Sequence, residues 1–568
     1  MVNIRIGIGE EFFDELRRNG CYYVDKTELI YELINDNKTK VTLFTRPRRF
    51  GKTLTMSMIQ SFFDLRRNSA DVFQGLDITK HEEFCENWMN QYPVLFISLK
   101  DVEGDSFEMA FERLKSRISY LCLEHEYLAE SDKISEKERM IFQKLMLESA
   151  SASQVLDSLL LLTRMMNMHY GKPVILLIDE YDVPIAKARD GEKHSPGYYE
   201  KMMGVIRGLL SSALKTNTFL KFAVITGCLR IAKESIFTGL NHFKTFGILD
   251  SNFSEAFGFT EAEVKRILEA AGLSDRFDLI QSWYDGYVFG DSEIFCPWDV
   301  LNYVYDCIDD PDMQPGNYWK NTSSNHIIDE FVDAPEFDVT DKFEELMNGG
   351  SIEQTITEQL TYGRLKDDED NLWSILFMTG YLTKSDKKER GNTVHLRIPN
   401  AEISDIFEES VVRHFKKSMD RNVQKEVLDA LWNGEQDKVS ELITDLLWDT
   451  ISYHNYHEDY YHAFITGIFV GQSYSVKSDQ ENGLGRTDIV IKDRKNRRAI
   501  IIETKKAKEE KDLEKMSLEG RQQIIRKKYF KGLKGYTRII CYGISFFEKT
   551  AKAKLFQIDL EPSTFFNI

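Results

Sequence analysis

From Gly483 to Lys505 the chain reads G-L-G-R-T-D-I-V-I-K-D-R-K-N-R-R-A-I-I-I-E-T-K, and few folds accommodate such a stretch. Two short β-branched runs, Asp488-Ile489-Val490-Ile491 and Ala499-Ile500-Ile501-Ile502, flank a polar, basic segment from Lys492 to Arg498. Such runs around a charged turn predict a β-hairpin. A turn centred between Lys495 and Asn496 sets Asp488 opposite Glu503, where Cβ atoms are about 4.5–5.5 Å apart. Lys505 lies two residues past Glu503 and shares its face. The hairpin therefore gathers two carboxylates and an ammonium on an otherwise apolar ribbon. Carboxylate oxygens suit Mg²⁺, so Asp488 and Glu503 are the expected ligands of an ion that neutralises phosphate and activates water. Lys505 is placed to polarise that water or to bind the phosphate as a point charge. Arg486, just ahead of the hairpin, is within reach of a phosphate.

At 568 residues the chain is too long for one ordinary domain, and three or four are expected. Its 42% hydrophobic content is ample for packed cores. The formal charge of −19 disfavours indiscriminate coating of nucleic acid, because an acidic surface repels phosphate. Contact with nucleic acid then falls to a local patch. Lys492 to Arg538, where Lys and Arg outnumber Asp and Glu, is the candidate; an ordinary solvated surface is the alternative. Seven scattered cysteines without a C-x-x-C pair suit a reduced, cytoplasmic setting and no zinc site. The N-terminus has no signal-peptide core, and no run approaches the roughly 18 apolar residues of a membrane span. A soluble protein without a membrane partner is expected.

The N-terminal third carries a second constellation. A strand, Val41 to Thr45, runs into R-P-R-R-F-G-K-T at 46–53. Gly51-Lys52-Thr53 ends like a P-loop, with Arg49 in the same candidate ATP-binding set. Backbone N–H groups at the following helix would cradle phosphates, Lys52 would reach the β/γ oxygens and Thr53 would ligate Mg²⁺. Leu54, Met58 and Phe62 recur at helical spacing behind it. The first glycine of the general motif is missing. Arg46 stands there, a residue that does not readily take up positive φ, and Pro47 stiffens the loop.

The run Val174 to Ile178 ends in Asp179-Glu180-Tyr181-Asp182 and reads as a parallel strand buried on both faces. Asp179 would hold Mg²⁺ and Glu180 would polarise the attacking water. A strand from Phe219 ends at Thr226, a candidate γ-phosphate sensor, and Pro93 to Leu99 supplies another. Strands alternating with helical stretches predict a doubly wound parallel sheet with its ligand at the strands' carboxyl ends.

These segments resemble the AAA-ATPase-like family of bacterial and archaeal proteins. The resemblance rests on Y-Y-V-D-K-T at 22–27, T-R-P-R-R-F-G-K-T at 45–53, L-L-I-D-E-Y-D at 176–182, L-R-I-A-K-E-S-I-F at 229–237 and W-Y-D-G-Y-x-F-G at 283–290, and covers roughly residues 1–330. An arginine-rich P-loop is usual in that family, so Arg46 departs from the general motif but not from the family's. Arg230, four residues past Thr226, is the arginine to watch as a γ-phosphate sensor.

The D-x14-E-x-K pattern resembles the PD-(D/E)xK nuclease superfamily, with Asp488, Glu503 and Lys505 in the motif positions. Residues 450–550 resemble the nuclease-like domain that often accompanies this ATPase family. By that similarity Glu458, in E-D-Y-Y-H-A-F, falls where the superfamily often has a helical glutamate, and Gln523 joins the site as a substrate or water positioner. His462, at i+4 from Glu458, is read as a packing residue.

The expected architecture is a multidomain α/β chain. A P-loop NTPase parallel sheet occupies 1–250, a helical, winged-helix-like region and linker 251–345, a helical connecting module 346–449, and an α/β restriction-endonuclease-like domain 450–568. Thr260 is expected to cap a helix over Glu261–Ala271. The resemblance implies an ATP-regulated, Mg²⁺-dependent nuclease acting on nucleic acid, with DNA ahead of RNA, in defence against phage or plasmid DNA, and a possible homo-oligomer. The rival is a nucleotide-dependent switch or scaffold with a degenerate nuclease fold.

Overall fold

Continuous apolar runs become strands buried on both faces. The computed structural model describes residues 4–35, 39–230, 243–319, 328, 339–347, 349–358, 360, 368–385, 393–418, 421–450, 458–469, 475–482, 485–533 and 535–559. The chain divides into two compact units, Met1–Asn321 with Glu353–Glu402, and Thr322–Ile352 with Ile403–Ile568.

The first unit is built on five parallel strands, β1 (Val41–Thr45), β2 (Val94–Ser98), β3 (Val174–Asp179), β4 (Leu220–Gly227) and β5 (Phe243–Phe246), in the order β2-β3-β4-β1-β5. Every residue of β1 and β3 is buried, as an unbroken apolar run requires. The edge strand β5, short and partly exposed, has no such signature in the sequence. A loop joins β1 to the helix α1 (Lys52–Phe63) and takes left-handed backbone at Arg49 (φ 71°) and Gly51 (φ 78°).

Arg46 is a strut within that loop. It is fully buried, and its guanidinium donates to the carbonyls of Thr45, Phe246 and Phe253 at 2.9–3.0 Å. The rings of Phe257 and Phe289 lie 5.3 and 5.4 Å from its Cζ. Burial pulls its pKa down to about 10. The residue in place of the first glycine thus needs no positive φ: the loop makes its left-handed turn at Arg49 instead.

Beyond the sheet, helices Glu261–Ala271, Phe277–Tyr284 and Pro297–Asp309 share a core of Val264, Ile267, Ile280, Tyr284, Val300 and Tyr303, beside a two-stranded ladder at Tyr287–Phe289 and Ser292–Ile294. Thr260 caps the first of these helices in a capping box with Glu263. Lys26 of Y-Y-V-D-K-T pairs with Glu263 at 2.7 Å, which ties the N-terminal motif to this helix.

The helical stretch is three helices, Ala401–Ser418, whose first two residues belong to the first unit, then Arg421–Asn433 and Gln436–Thr450 of the second, followed by α2 (Glu458–Phe469). A mixed sheet follows: β6 (Ser475–Asn482), β7 (Gly485–Asp493), β8 (Arg498–Lys506), β9 (Arg538–Phe547) and β10 (Thr550–Asp559), in chain order. β8 and β9 are parallel, joined through the helix α3 (Leu513–Lys527); the other pairs are antiparallel. The β7–β8 hairpin pairs Ile489 with Ile502 and Ile491 with Ile500, the register read from the sequence. Asp493 closes its turn, accepting from Asn496 and from Arg498 Nε at 2.9 Å.

Two glycines bring α3 close to the sheet. A Cβ on Gly543 would sit 2.0 Å from the Ser517 carbonyl and 2.4 Å from the Arg521 nitrogen, and one on Gly520 would lie 3.3 Å from the Glu503 carbonyl. That close approach seats Gln523 over Glu503. Among the described residues no helix is long and apolar enough to cross a membrane.

Candidate active sites

At the carboxyl ends of β1, β3 and β4 the first unit collects its chemistry. Asp179 is fully buried, accepts from Thr53 Oγ1 at 2.8 Å through Oδ2 and takes the Thr226 hydroxyl on Oδ1. Lys52 is 5% exposed, and its Nζ donates to the carbonyls of Arg46 at 3.1 Å and Pro47 at 2.8 Å. The ammonium is thus held by its own loop at the mouth of the cradle. Glu180 is half-buried with left-handed backbone (φ 53°), a strain that marks functional positions when the surroundings enforce it. Burial raises its carboxyl pKa, and Lys52 offsets part of the rise.

Two neighbours of Glu180 escaped the sequence reading. Tyr181 Oη donates to the Leu229 carbonyl at 2.7 Å, and Asp182 Oδ2 accepts from the Cys228 and Leu229 nitrogens at 2.9 and 3.0 Å. A Cβ on Gly227 would lie 2.7 Å from Asp182 Oδ1 and from the Tyr181 ring, so only glycine fits between them. Together they fasten the Cys228–Leu229 segment that leads from Thr226 at the end of β4 to Arg230. Arg230 lines a cleft with Thr45, Cys228, Gly247 and Glu358. Arg49 is engaged elsewhere: its Nη1 donates to the Tyr318 carbonyl at 2.7 Å, and Trp298 and Trp319 lie 5.2 and 5.9 Å from its Cζ. Residues 231–237 of L-R-I-A-K-E-S-I-F are outside the described residues.

The second site lies on the hairpin. Glu503 is 1% exposed, with Lys505 Nζ 3.4 Å from its Oε1 and the Gln523 amide donating to the same oxygen. Gln523 also reaches Tyr529 Oη at 3.3 Å. Burial raises the Tyr529 pKa, the Gln523 hydrogen bond lowers it, and the charges of Glu503 and Asp488 raise it further. The β7–β8 ladder stops at Ile489–Ile502. Asp488 Oδ2 instead accepts from Thr504, N at 2.7 Å and Oγ1 at 2.8 Å. Glu458 begins α2, and its side chain, like that of Arg486, is outside the described residues. Among the described residues no three His, Cys, Asp or Glu side chains converge as a metal site. Mg²⁺ needs only one or two carboxylates beside water and phosphate, so the Asp488/Glu503 pair fits it.

Two family models match this chain. The predicted AAA-ATPase model covers residues 5–237, and the PD-(D/E)XK nuclease superfamily model covers 456–555. The chain joins an AAA-ATPase-like domain to a PD-(D/E)XK nuclease superfamily domain. Over 417 residues it is 25% identical to an uncharacterised protein encoded in the vnfD 5′ region of Azotobacter chroococcum mcd 1, across 72% of this chain and 70% of that one.

In the PD-(D/E)XK domain His462 is a brace. Nδ1 lies 3.0 Å from Glu408 Oε1 and Nε2 3.0 Å from the Asp488 carbonyl, so both nitrogens donate when the ring is charged. Burial opposes that charge, but Glu408 and the Asp488 carbonyl outweigh it and raise the pKa from 6.5 to about 9. A raised folded-state value means the stabilisation is complete below pH 6.5 and is lost as pH rises through about 9. Thermal melts should show this unit weakening by about 3 kcal/mol over that window, with His462→Gln flattening the dependence.

Proposed function

We propose that the chain binds and hydrolyses ATP and uses that cycle to govern a metal-dependent phosphodiesterase acting on nucleic acid. The observation that carries the reading is Glu503: a fully buried carboxylate, flanked by an ammonium and an amide, beside Asp488 on the neighbouring strand. Carboxylates are rarely buried unless paired or at work on a cation.

In the PD-(D/E)XK domain Asp488 and Glu503, with Glu458 as a further candidate, would hold Mg²⁺. That ion would supply charge neutralisation at the phosphate and lower the pKa of a water. Thr504 fixes Asp488, Lys505 binds a phosphate oxygen, and Gln523 orients Glu503 and the substrate. In the ATPase-like domain Lys52 would leave the Arg46 and Pro47 carbonyls for the β/γ oxygens, and Thr53 and Asp179, already in contact, would serve the nucleotide's Mg²⁺. Gly51 shapes the cradle, Arg49 steadies the loop, Thr226 and Arg230 face the γ-phosphate, and Glu180 takes a proton from the attacking water. Loss of the γ-phosphate would switch the cutting activity.

Residues 1–250 act as the nucleotide module, 251–345 as a winged-helix-like region and linker, 346–449 as a connecting module and 450–568 as the nuclease. A cytoplasmic, self-associating enzyme directed at foreign DNA is the role this pairing suits, by analogy. Glu180→Gln tests the ATPase half. Turnover should fall on the order of 10²-fold or more with ATP binding retained, as loss of a positioned base predicts. Unchanged turnover removes Glu180 from its role.

A further inference from the structure

Against a net charge of −19, two stretches of the second unit hold no acid at all: Arg494 to Ile502 carries four Lys or Arg, and Gly520 to Phe547 carries seven. The fold lays them side by side. Arg497 Nε donates to the Gly535 carbonyl at 2.9 Å, and the Thr537 nitrogen donates to the Arg497 carbonyl at 2.8 Å, so the hairpin tip is pinned to the segment after α3. Tyr529 and Leu533 of that segment bury themselves on Val490, Ala499, Ile501 and Ile539. The same segment reaches the active site, where Tyr529 meets Gln523 and Gln523 meets Glu503.

Arg494, Lys495, Arg497, Arg526, Lys528 and Lys531 are all exposed. Among the described residues none of these six pairs with a carboxylate, whereas Arg498 beside them is taken up by Asp493 and by the Trp432 ring, 4.3 Å from its Cζ. Like charges gathered without counter-charge repel one another and weaken the compact state. A solvated face would interleave signs, as the exposed Lys438–Glu426 and Lys511–Glu509 pairs do.

We infer that this strip is a binding track for the phosphodiester backbone of nucleic acid, holding the strand on one side of the scissile bond. It runs from Gln523 and Tyr529 over Lys528 and Lys531 to the hairpin tip. Its direction toward Glu503 rests on the nuclease reading; its affinity for a polyanion does not. Arg494 lies six positions beyond Asp488 along the hairpin, which at about 3.3 Å per residue sets the tip roughly 20 Å from Asp488.

Binding of labelled single-stranded and duplex DNA and RNA is measured against salt, with the full chain in EDTA on a Glu503→Gln background. Removing Arg494, Lys495 and Arg497 together (each →Ala) should make the slope of log affinity against log salt shallower by about 2 on single strands and nearly 3 on duplex, at about 0.7 and 0.9 per phosphate. A charge-matched control, Lys425→Ala with Lys438→Ala and Lys511→Ala, should leave the slope in place. The DNA and RNA arms show which backbone the strip takes. An unchanged slope in the tip variant, an equal fall in the control, or no binding by the parent protein overturns the strip. Failure of the nuclease reading looks different: the slope effect persists while the wild-type chain cuts nothing in Mg²⁺.

Discussion

Glu503→Gln is expected to lower metal-dependent cleavage on the order of 10³-fold while the protein still folds and still binds nucleic acid. The exchange keeps the shape and removes the charge. Lys505, 3.4 Å away, then faces a neutral amide, and the Gln523 amide loses its ionised acceptor. A positioned acid–base or electrostatic group supplies factors of about 10²–10⁴, and Glu503 would serve both the cation and the lysine, so its loss belongs well inside that range. Stability should fall, because the buried pair loses one partner's charge and the Lys505 ammonium loses that compensation, while the isosteric amide keeps the packing. Rate measurements beside a thermal melt separate the two effects. A Glu503→Gln protein that melts like the parent and cuts at the parental rate would remove Glu503 from the chemistry.

Lys52→Ala is expected to weaken ATP binding on the order of 10²-fold. A charge-assisted hydrogen bond contributes about 1.5–3 kcal/mol, and the lysine would make at least one with the β/γ oxygens. The substitution also vacates the Arg46 and Pro47 carbonyls, which Lys52 holds at 3.1 and 2.8 Å. The loop keeps its path without it, since Arg46 is anchored independently through Thr45, Phe246 and Phe253. Titration with a fluorescent ATP analogue measures the effect. Parental affinity in Lys52→Ala would place the nucleotide elsewhere.

Much of the hairpin was legible because its information is local. A side-chain period of two and a symmetric turn set the β7–β8 register residue by residue. The contact of Thr53 with Asp179 followed from two motifs that a parallel sheet brings together. What the sequence hid depends on distant partners. Arg46 reads as a defect in a glycine position until Phe246 and Phe253 offer it carbonyls 200 and 207 residues away. Tyr181 and Asp182 look like the tail of an acidic strand end, yet they hold the Gly227–Leu229 loop. Asp488 turns onto Thr504 because the ladder ends one rung short, which alternation alone does not foretell. The partners of His462 and Tyr529, Glu408 and Gln523, likewise come from helices whose packing no periodicity specifies.

An ATP-responsive nuclease must reveal itself in a single cleavage assay. Labelled DNA and RNA are incubated with the full chain in Mg²⁺, with and without ATP, beside Glu503→Gln and Lys52→Ala. Metal-dependent cleavage is expected, lost in Glu503→Gln, with a rate that changes with ATP in the parent but not in Lys52→Ala. Binding of ATP with no cleavage of any substrate under any condition would contradict it and leave a nucleotide-dependent switch with a silent nuclease fold.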